Sequence, residues 1–167
     1  YRSFELPTII LRPFNTFGPR QSERAVLSTI IRQMLDDECV EIRLGDTTPK
    51  RDFNFVENTV QAFLAIAELD DKYNGNAYNA GSGQMYSIAE AIEIIQKIVG
   101  TDKPVTQESV RNRPEKSEVM TLIADSTKLK EHSNWQPKIN FETGLQQTIE
   151  WWRERIHTAR PGADYIY

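Results

Sequence analysis

Apolar positions follow two rhythms along the chain. Thr8-Ile9-Ile10-Leu11 is a short run rich in β-branched residues, the pattern of a strand buried on both faces. Pro13, Gly18 and Pro19 punctuate the polar stretch that follows, so the strand stops within residues 12–15. Val26, Ile30, Ile31 and Met34 then repeat at helical spacing, and Ser22 is placed to cap a helix over residues 22–36. Residues 40–44 alternate apolar and charged, as a half-exposed strand does. After the turn Gly45-Asp46-Thr47-Thr48-Pro49 comes a short extended aromatic segment, Arg51-Asp52-Phe53-Asn54-Phe55-Val56. A helix starts near Glu57, carries Val60, Phe63, Leu64 and Ala67 on one face, and ends before the polar loop over residues 70–76.

The second half repeats the alternation. Residues 77–80 read as a strand closed by Gly81-Ser82-Gly83. Ser87-Ile88-Ala89-Glu90 is a capping box, and Ile88, Ile92, Ile95 and Val99 form one stripe before Gly100 stops the helix. Strands are expected over residues 105–107 and 119–124, then a short helix from Ser126 capped by Asp125, and a turn at Trp135-Gln136-Pro137. The last helix is expected over residues 141–157, with Leu145, Ile149, Trp152 and Ile156 inward. Residues 1–6 read as the end of a helix stopped by Pro7. The sum is a mixed α/β chain without repeats, in which several strands are too short for a self-sufficient parallel sheet. The first strand therefore needs neighbours.

Composition narrows the function. The 167 residues carry a formal net charge of −4 with no block of Lys or Arg, which argues against a general nucleic-acid or membrane-surface binder. Cys39 is the only cysteine and the two histidines, His132 and His157, lie among charged residues, so no metal site is expected and both histidines read as surface residues. No apolar stretch is long enough to span a bilayer and no signal-peptide pattern occurs, so a cytoplasmic location is the expectation. Gly81-Ser82-Gly83 superficially opens a dinucleotide fingerprint but lacks the third glycine, and reads as a strand-to-helix turn. Phe53/Phe55 and Trp151/Trp152 read as core. The positive signals lie in loops. Open α/β sheets bind ligands beyond the carboxyl ends of their strands, which marks Asn15 and Arg20. Arg51 and Arg113 are loop guanidinium groups suited to phosphate oxygens. Spacing alone gives an α/β module with an anion site.

Four segments together resemble the carboxyl-terminal half of the extended short-chain dehydrogenase/reductase family of nucleotide-sugar epimerases and 4,6-dehydratases. They are Leu11-Arg12-Pro13-Phe14-Asn15-Thr16-Phe17-Gly18-Pro19-Arg20; Gly45-Asp46 with Lys50-Arg51-Asp52-Phe53-Asn54-Phe55-Val56; Tyr78-Asn79-Ala80-Gly81-Ser82-Gly83 with Ser87-Ile88; and Arg113-Pro114 with Ala124-Asp125-Ser126-Thr127-Lys128, Trp135-Gln136-Pro137 and Gly144-Leu145. They stand in the family's order and span almost the whole chain.

The resemblance implies a fold and a division of labour. The fold would be the carboxyl-terminal part of a Rossmann-type chain: residues 1–20 a residual Rossmann strand with the end of its leading helix, and residues 21–167 a nucleotide-sugar-binding lobe with segments returning to the Rossmann half. The amino-terminal half of the family binds NAD and carries the Tyr-x-x-x-Lys pair that moves proton and hydride. No tyrosine here is followed four positions later by lysine, so the resemblance assigns this chain no catalytic residue. It implies that Asn15, Arg51 and Arg113 hold the diphosphate sugar, that the backbone from Ile42 to Leu44 meets the base, that Phe53 lies near the nucleotide, and that Pro13 and Phe14 lie near the nicotinamide end of NAD. Ala25 and Val26 replace an asparagine-leucine pair of some epimerases. The run from Arg111 to Val119 looks most like dehydratases acting on N-acetylated nucleotide sugars. The parent is expected to be a homodimer, and the chain by itself to be inactive and to associate between copies or be marginally stable. The alternative is a non-catalytic nucleotide-sugar-binding or interaction module.

Overall fold

The computed structural model describes residues 1, 3–108 and 119–158. In chain order the elements are β1 (Ile10–Pro13), β2 (Thr16–Phe17), α1 (Val26–Leu35), β3 (Ile42–Leu44), β4 (Lys50–Arg51), β5 (Asn54–Phe55), α2 (Val56–Ala67), β6 (Ala77–Ala80), β7 (Tyr86–Ser87), α3 (Ile88–Val99), β8 (Val105–Gln107), β9 (Thr121–Leu122), α4 (Thr127–His132) and α5 (Phe141–Arg153). The strands form four small sheets. β1 pairs parallel with β6, with Ile10 opposite Ala77 and Pro13 opposite Ala80. β2 pairs parallel with β5, and β3 parallel with β8. β4 lies between β7, antiparallel to it, and β9, parallel to it. Among the described residues no helix is long and apolar enough to cross a membrane, and no cluster of His, Cys, Asp and Glu could hold a metal ion.

Several boundaries move, each for a local reason. The first strand runs Ile10–Pro13, two residues later than its β-branched run. Ser22 does not cap α1. Its hydroxyl accepts from the Arg24 N–H at 3.3 Å and its carbonyl from the Ala25 N–H at 3.0 Å, a tight turn that delays the helix to Val26. Near the amino terminus the Glu5 N–H reaches the Tyr1 carbonyl at 2.7 Å with Glu5 at φ 53°, the bond and left-handed residue with which helices end. The strand expected over residues 119–124 shrinks to Thr121–Leu122, and α5 ends at Arg153, with a separate 3-10 turn at Ile156–Thr158. The capping box of α3 forms as its sequence requires, with Ser87 Oγ accepting from the Glu90 N–H at 3.1 Å and Glu90 Oε2 accepting from the Ser87 N–H at 2.7 Å.

Two cores organise these pieces. The larger packs α1, α3 and α5 around β3 and the aromatic segment, with Ile30, Ile31, Ile42, Ile95, Leu145 and Ile149 fully buried. Lys103 fastens it from outside the helices. Its ammonium donates to the carbonyls of Gln33, Met34 and Asp36 at 3.0, 3.1 and 2.6 Å, closing the carboxyl end of α1, where cations are favoured. The smaller core joins β1 and β6 to α2 and α4 through Ala62, Ile66, Tyr78, Ala80, Leu129 and Trp135.

α2 meets this smaller core with the opposite face from the one its large apolar residues mark. Asn58, Thr59, Ala62 and Ile66 are buried, while Val60, Phe63 and Leu64 are about half exposed at 48, 50 and 53%. The inward choice is made by hydrogen bonds. Asn58 Oδ1 accepts from the Lys138 and Ile139 N–H groups at 2.9 and 3.1 Å, and its Nδ2 donates to the Ile139 carbonyl at 2.8 Å. The Asn58 carbonyl takes the Trp135 indole N–H at 2.9 Å. Thr59 Oγ1 accepts from Asn54 Nδ2 at 3.0 Å and meets Thr16 Oγ1 at 2.9 Å. Stranding a buried polar group costs roughly 1–3 kcal/mol, so these partners outweigh burial of one more aliphatic side chain. Asn58→Ala is therefore expected to destabilise the chain by roughly 2–4 kcal/mol, because it leaves two N–H groups and a carbonyl without their partner. Val60→Ala, two residues on, is expected to change stability by no more than about 0.5 kcal/mol. Chemical denaturation of both variants checks the pair.

Candidate functional site

The carboxyl ends of β1 and β6 converge on the segment between β4 and β5, and one carboxylate ties them together. Asp52 is fully buried. Its Oδ1 accepts from the Ser82 N–H at 2.8 Å and the Ser82 hydroxyl at 2.6 Å; its Oδ2 accepts from the Gly83 N–H at 3.0 Å and the Ala124 N–H at 3.1 Å. The Asp52 backbone N–H donates to Leu122 at 2.9 Å, and its carbonyl accepts from Asn15 Nδ2 at 3.4 Å. One residue thus joins the ends of β1 and β6 to β9. Gly81 makes the approach possible: a Cβ there would lie 2.4 Å from the Ala124 Cβ and 2.6 Å from Asp52 Oδ2. Gly18, at φ 148°, does the same for α2, where a Cβ would meet Val56 Cγ1 at 2.6 Å.

Two of the expected ligand residues flank Asp52, Asn15 through a hydrogen bond and Arg51 as its neighbour in sequence. Asn15 is half-buried, its carbonyl accepts from the Asn54 N–H at 3.2 Å, and its amide reaches the carbonyl next to Arg51 in sequence. Arg51 is half-buried in the middle strand of its sheet, opposite Tyr86 on one side and Leu122 on the other, and its guanidinium donates to the Lys50 carbonyl at 2.9 Å. Pro13 and Phe14 lie at the carboxyl end of β1, with the Phe14 N–H on the Ala80 carbonyl at 2.9 Å. Arg20 is exposed and holds a left-handed φ of 67°. Arg113, and most of the 111–119 run, lie outside the described residues. Of the described residues on either side of it, the Glu108 N–H donates to the Leu44 carbonyl at 2.7 Å, and the Met120 carbonyl accepts from the N–H of Lys50, next to Arg51, at 2.8 Å.

Other expected residues sit deeper. Ile42 and Leu44 are buried core residues. The Ile42 N–H donates to Pro104 at 2.8 Å, the Leu44 carbonyl is taken by Glu108, and Gln33 bonds both backbone groups of Arg43 at 2.8 and 3.3 Å. These backbone groups, expected to meet a base, already carry partners because β8 and the Gln33 side chain occupy the two edges of β3. Phe53 is 5% exposed and stacks on Phe141 at 5.3 Å, with Tyr86 stacked on the other side of Phe141 at 4.4 Å. The ring that reaches the surface beside Arg51 is Tyr86, which sequence reasoning left out; its position two residues after Gln84 in a turn-then-strand pattern is the only signal it gives.

The remaining candidates are structural. The N–H groups of Ser82 and Gly83 are aimed at Asp52, so this glycine turn is an anion cradle already filled from within the chain. It does not fit a pyrophosphate. His132 is not a free surface side chain: its Nδ1 lies 2.9 Å from the Tyr78 hydroxyl, and its ring packs 4.6 Å from Tyr73. Burial pushes the Tyr78 hydroxyl pKa up, with the neighbouring Tyr73 adding to the effect. His157 is exposed.

Comparison with known proteins agrees with this architecture. The family model described as GDP-mannose 4,6 dehydratase matches residues 1–148. The UDP-N-acetyl-alpha-D-glucosaminuronate decarboxylase of Bacillus cytotoxicus is 33% identical over 155 residues, 89% of this chain and 47% of its own. The UDP-glucose 4-epimerase of Thermotoga maritima, solved with UDP-glucose, superposes with a TM-score of 0.79 at 30% identity, over 93% of this chain and 48% of its own. The UDP-glucuronic acid 4-epimerase of Bacillus cereus, solved with UDP-glucuronic acid and NAD, gives a TM-score of 0.80 at 26% identity, over 92% and 47%. The chain spans about half the length of the relatives it matches. With its aspartate-tied strand ends and a family match over most of its length, the chain belongs to the extended short-chain dehydrogenase/reductase family of nucleotide-sugar epimerases and dehydratases.

Proposed function

We propose that this chain is the carboxyl-terminal, substrate-gripping part of an NAD-dependent nucleotide-sugar 4-epimerase or 4,6-dehydratase. The observation that carries the reading is the anchoring of Asn15, just past the carboxyl end of β1, on the carbonyl of Asp52, the buried residue that follows Arg51 in sequence. Ligands of α/β sheets gather at such ends. Arg51 supplies fixed positive charge for a diphosphate, and Asn15 supplies a neutral donor and acceptor for the sugar-phosphate region. Arg113, which lies outside the described residues, would be the second guanidinium on the diphosphate. Ile42, Leu44 and Phe53 form the apolar wall behind the nucleotide, and Tyr86 offers a half-buried ring opposite Arg51. Pro13 and Phe14 face the nicotinamide end of a dinucleotide held by the other half of the fold. NAD, when bound there, takes and returns the hydride. The glycine turn of this chain has no free N–H pair for its pyrophosphate, because Asp52 holds both.

The non-catalytic alternative is favoured by one observation: no tyrosine in the sequence precedes a lysine by four positions. A complete reading frame that encodes Tyr-x-x-x-Lys upstream decides for the enzyme, and one without it decides for the binding module.

Three measurements test the grip. In the chain joined to its nucleotide-binding half, Arg51→Ala and Arg113→Ala are each expected to weaken the apparent affinity for the diphosphate sugar by roughly 2–5 kcal/mol. UDP-glucose titrations showing unchanged affinity in both variants would remove the clamp. Asp52→Asn keeps the shape but replaces an acceptor oxygen with a donor that opposes the N–H groups it faces. It is expected to weaken sugar-nucleotide binding and also to lower the melting temperature, whereas Arg51→Ala lowers affinity alone. Finally, the chain by itself is expected to show no turnover and no titratable NAD binding; a saturable NAD isotherm would refute this.

A further inference from the structure

Tyr86 is held firmly next to the arginine on which the proposed grip relies. β7 runs antiparallel to β4 and places Tyr86 directly opposite Arg51. Directly opposed residues project from the same face of a sheet, with Cβ atoms roughly 5 Å apart. On that face Tyr86 stacks on Phe141 at 4.4 Å with an interplanar angle of 27°, and Phe141 stacks on Phe53 at 5.3 Å and 13°. Phe53 and Phe141 are buried, whereas Tyr86 is half-buried. The Tyr86 hydroxyl donates to Gln84 Oε1 at 3.2 Å. The aromatic stack of the larger core thus ends in one ring that reaches the surface, its plane set by Phe141 and its tip by Gln84.

The chain through β4 and β5 orders what lies on either side of Arg51. Downstream of it, the Asp52 carbonyl accepts from Asn15 Nδ2 at 3.4 Å, and the Asn54 N–H donates to the Asn15 carbonyl at 3.2 Å. Upstream of it, the turn that follows β3 docks on the first turn of α3. There the Ile88 N–H donates to the Pro49 carbonyl at 3.3 Å and the Ala89 N–H to the Thr47 carbonyl at 3.0 Å. Gln107, the last residue of β8, donates to Thr47 Oγ1 at 2.9 Å. Helix α3 starts two residues after Tyr86. Tyr86 therefore belongs to the β3 and β8 side of Arg51, and Asn15 to the other side. A nucleoside diphosphate sugar has its diphosphate in the middle. With Arg51 on the diphosphate and Asn15 at the sugar end, the side that holds Tyr86 is left for the nucleoside.

We propose that Tyr86 is the stacking platform of the nucleoside, its outer face carrying the ribose and base. This rests on the diphosphate-sugar reading given above. Every base has a π-face, so such a ring contributes affinity without choosing among bases. Because Phe141 and Gln84 already hold the ring, binding orders no further side chain there.

The test compares UDP with UDP-glucose on the chain joined to its nucleotide-binding half, by calorimetric titration and by proton NMR of the ligands. Tyr86→Leu should weaken both ligands by the same factor, roughly ten- to a hundredfold. Tyr86→Phe should bind both like the parent, because the stack needs only the ring. On binding, the uracil and ribose proton signals should move upfield and the glucose signals should not. That shift should persist in Tyr86→Phe and vanish in Tyr86→Leu, which separates ring contact from a merely structural role. A loss confined to UDP-glucose, an upfield shift of the glucose signals instead, equal losses without the shift, or parent-like affinity in Tyr86→Leu overturns the assignment and leaves the diphosphate grip standing. A parent that binds neither ligand overturns both. Should Tyr86→Leu fail to fold, Tyr86→Met, which fills more of the ring's volume, carries the same decision.

Discussion

The fold around the candidate site depends on a buried carboxylate with four donors. Burying a charge costs several kcal/mol unless its hydrogen-bonding capacity is filled, and the Asp52 carboxylate joins three segments: its own strand, which continues into the aromatic core, and the two that supply the donors, Ser82 and Gly83 at the end of β6 and Ala124 after β9. Hydrogen bonds to a charged acceptor contribute roughly 1.5–3 kcal/mol each. Four of them are enough to offset the desolvation, but only when all three segments are in place. The carboxylate therefore acts as a geometric lock more than as a source of net stability. Any one segment out of position leaves a buried charge short of partners.

That lock explains why two cores of different character can share one short chain. The larger core is aliphatic and aromatic and needs only shape. The smaller core rests on Asn58, Thr59 and Asn54, whose amides and hydroxyls bind α2 to β2, β5 and the 135–139 segment. Polar contacts of this kind specify one rotation of the helix about its axis, where apolar burial alone would accept the other. The result leaves Val60, Phe63 and Leu64 outside. The same choice that fixes the site's supporting helix also creates the apolar surface of this half.

Much of this was legible in the sequence where local chemistry decides. The capping box of α3, strand residues 77–80 and 105–107, and the aromatic segment at Phe53 all form where their patterns place them. Patterns failed where a distant partner decides. Ser22 looked like a helix cap because nothing local shows that its hydroxyl turns to Arg24. The α2 face was misleading because the partners of Asn58 lie about eighty positions away, at Lys138 and Ile139. The site was half visible: Asn15 and Arg51 stand out as polar groups at strand ends, whereas Asp52 hides in their shadow. Its signal was there in hindsight, since an aspartate between an arginine and a run of aromatic core residues must find donors, and Gly81-Ser82-Gly83 is the stretch rich in close-approach N–H groups.

The glycine turn then carries a consequence for how the family's labour is divided. A turn of successive N–H groups after a strand is the ordinary device for holding a phosphate. In this chain the device is present but its anion is a side chain. A phosphate brought to the same turn would have to displace a buried carboxylate, stranding it, and would repel it while doing so. On the proposed reading, phosphate recognition is thereby left to side-chain charge, the guanidinium groups, rather than to this turn. Arg51 is set immediately before the lock residue, so whatever holds Asp52 in register also fixes the strand from which Arg51 projects. The internal anion is held permanently by Ser82, Gly83 and Ala124, and on the proposed reading the external one would be met by Arg51, the residue that precedes that anion in sequence.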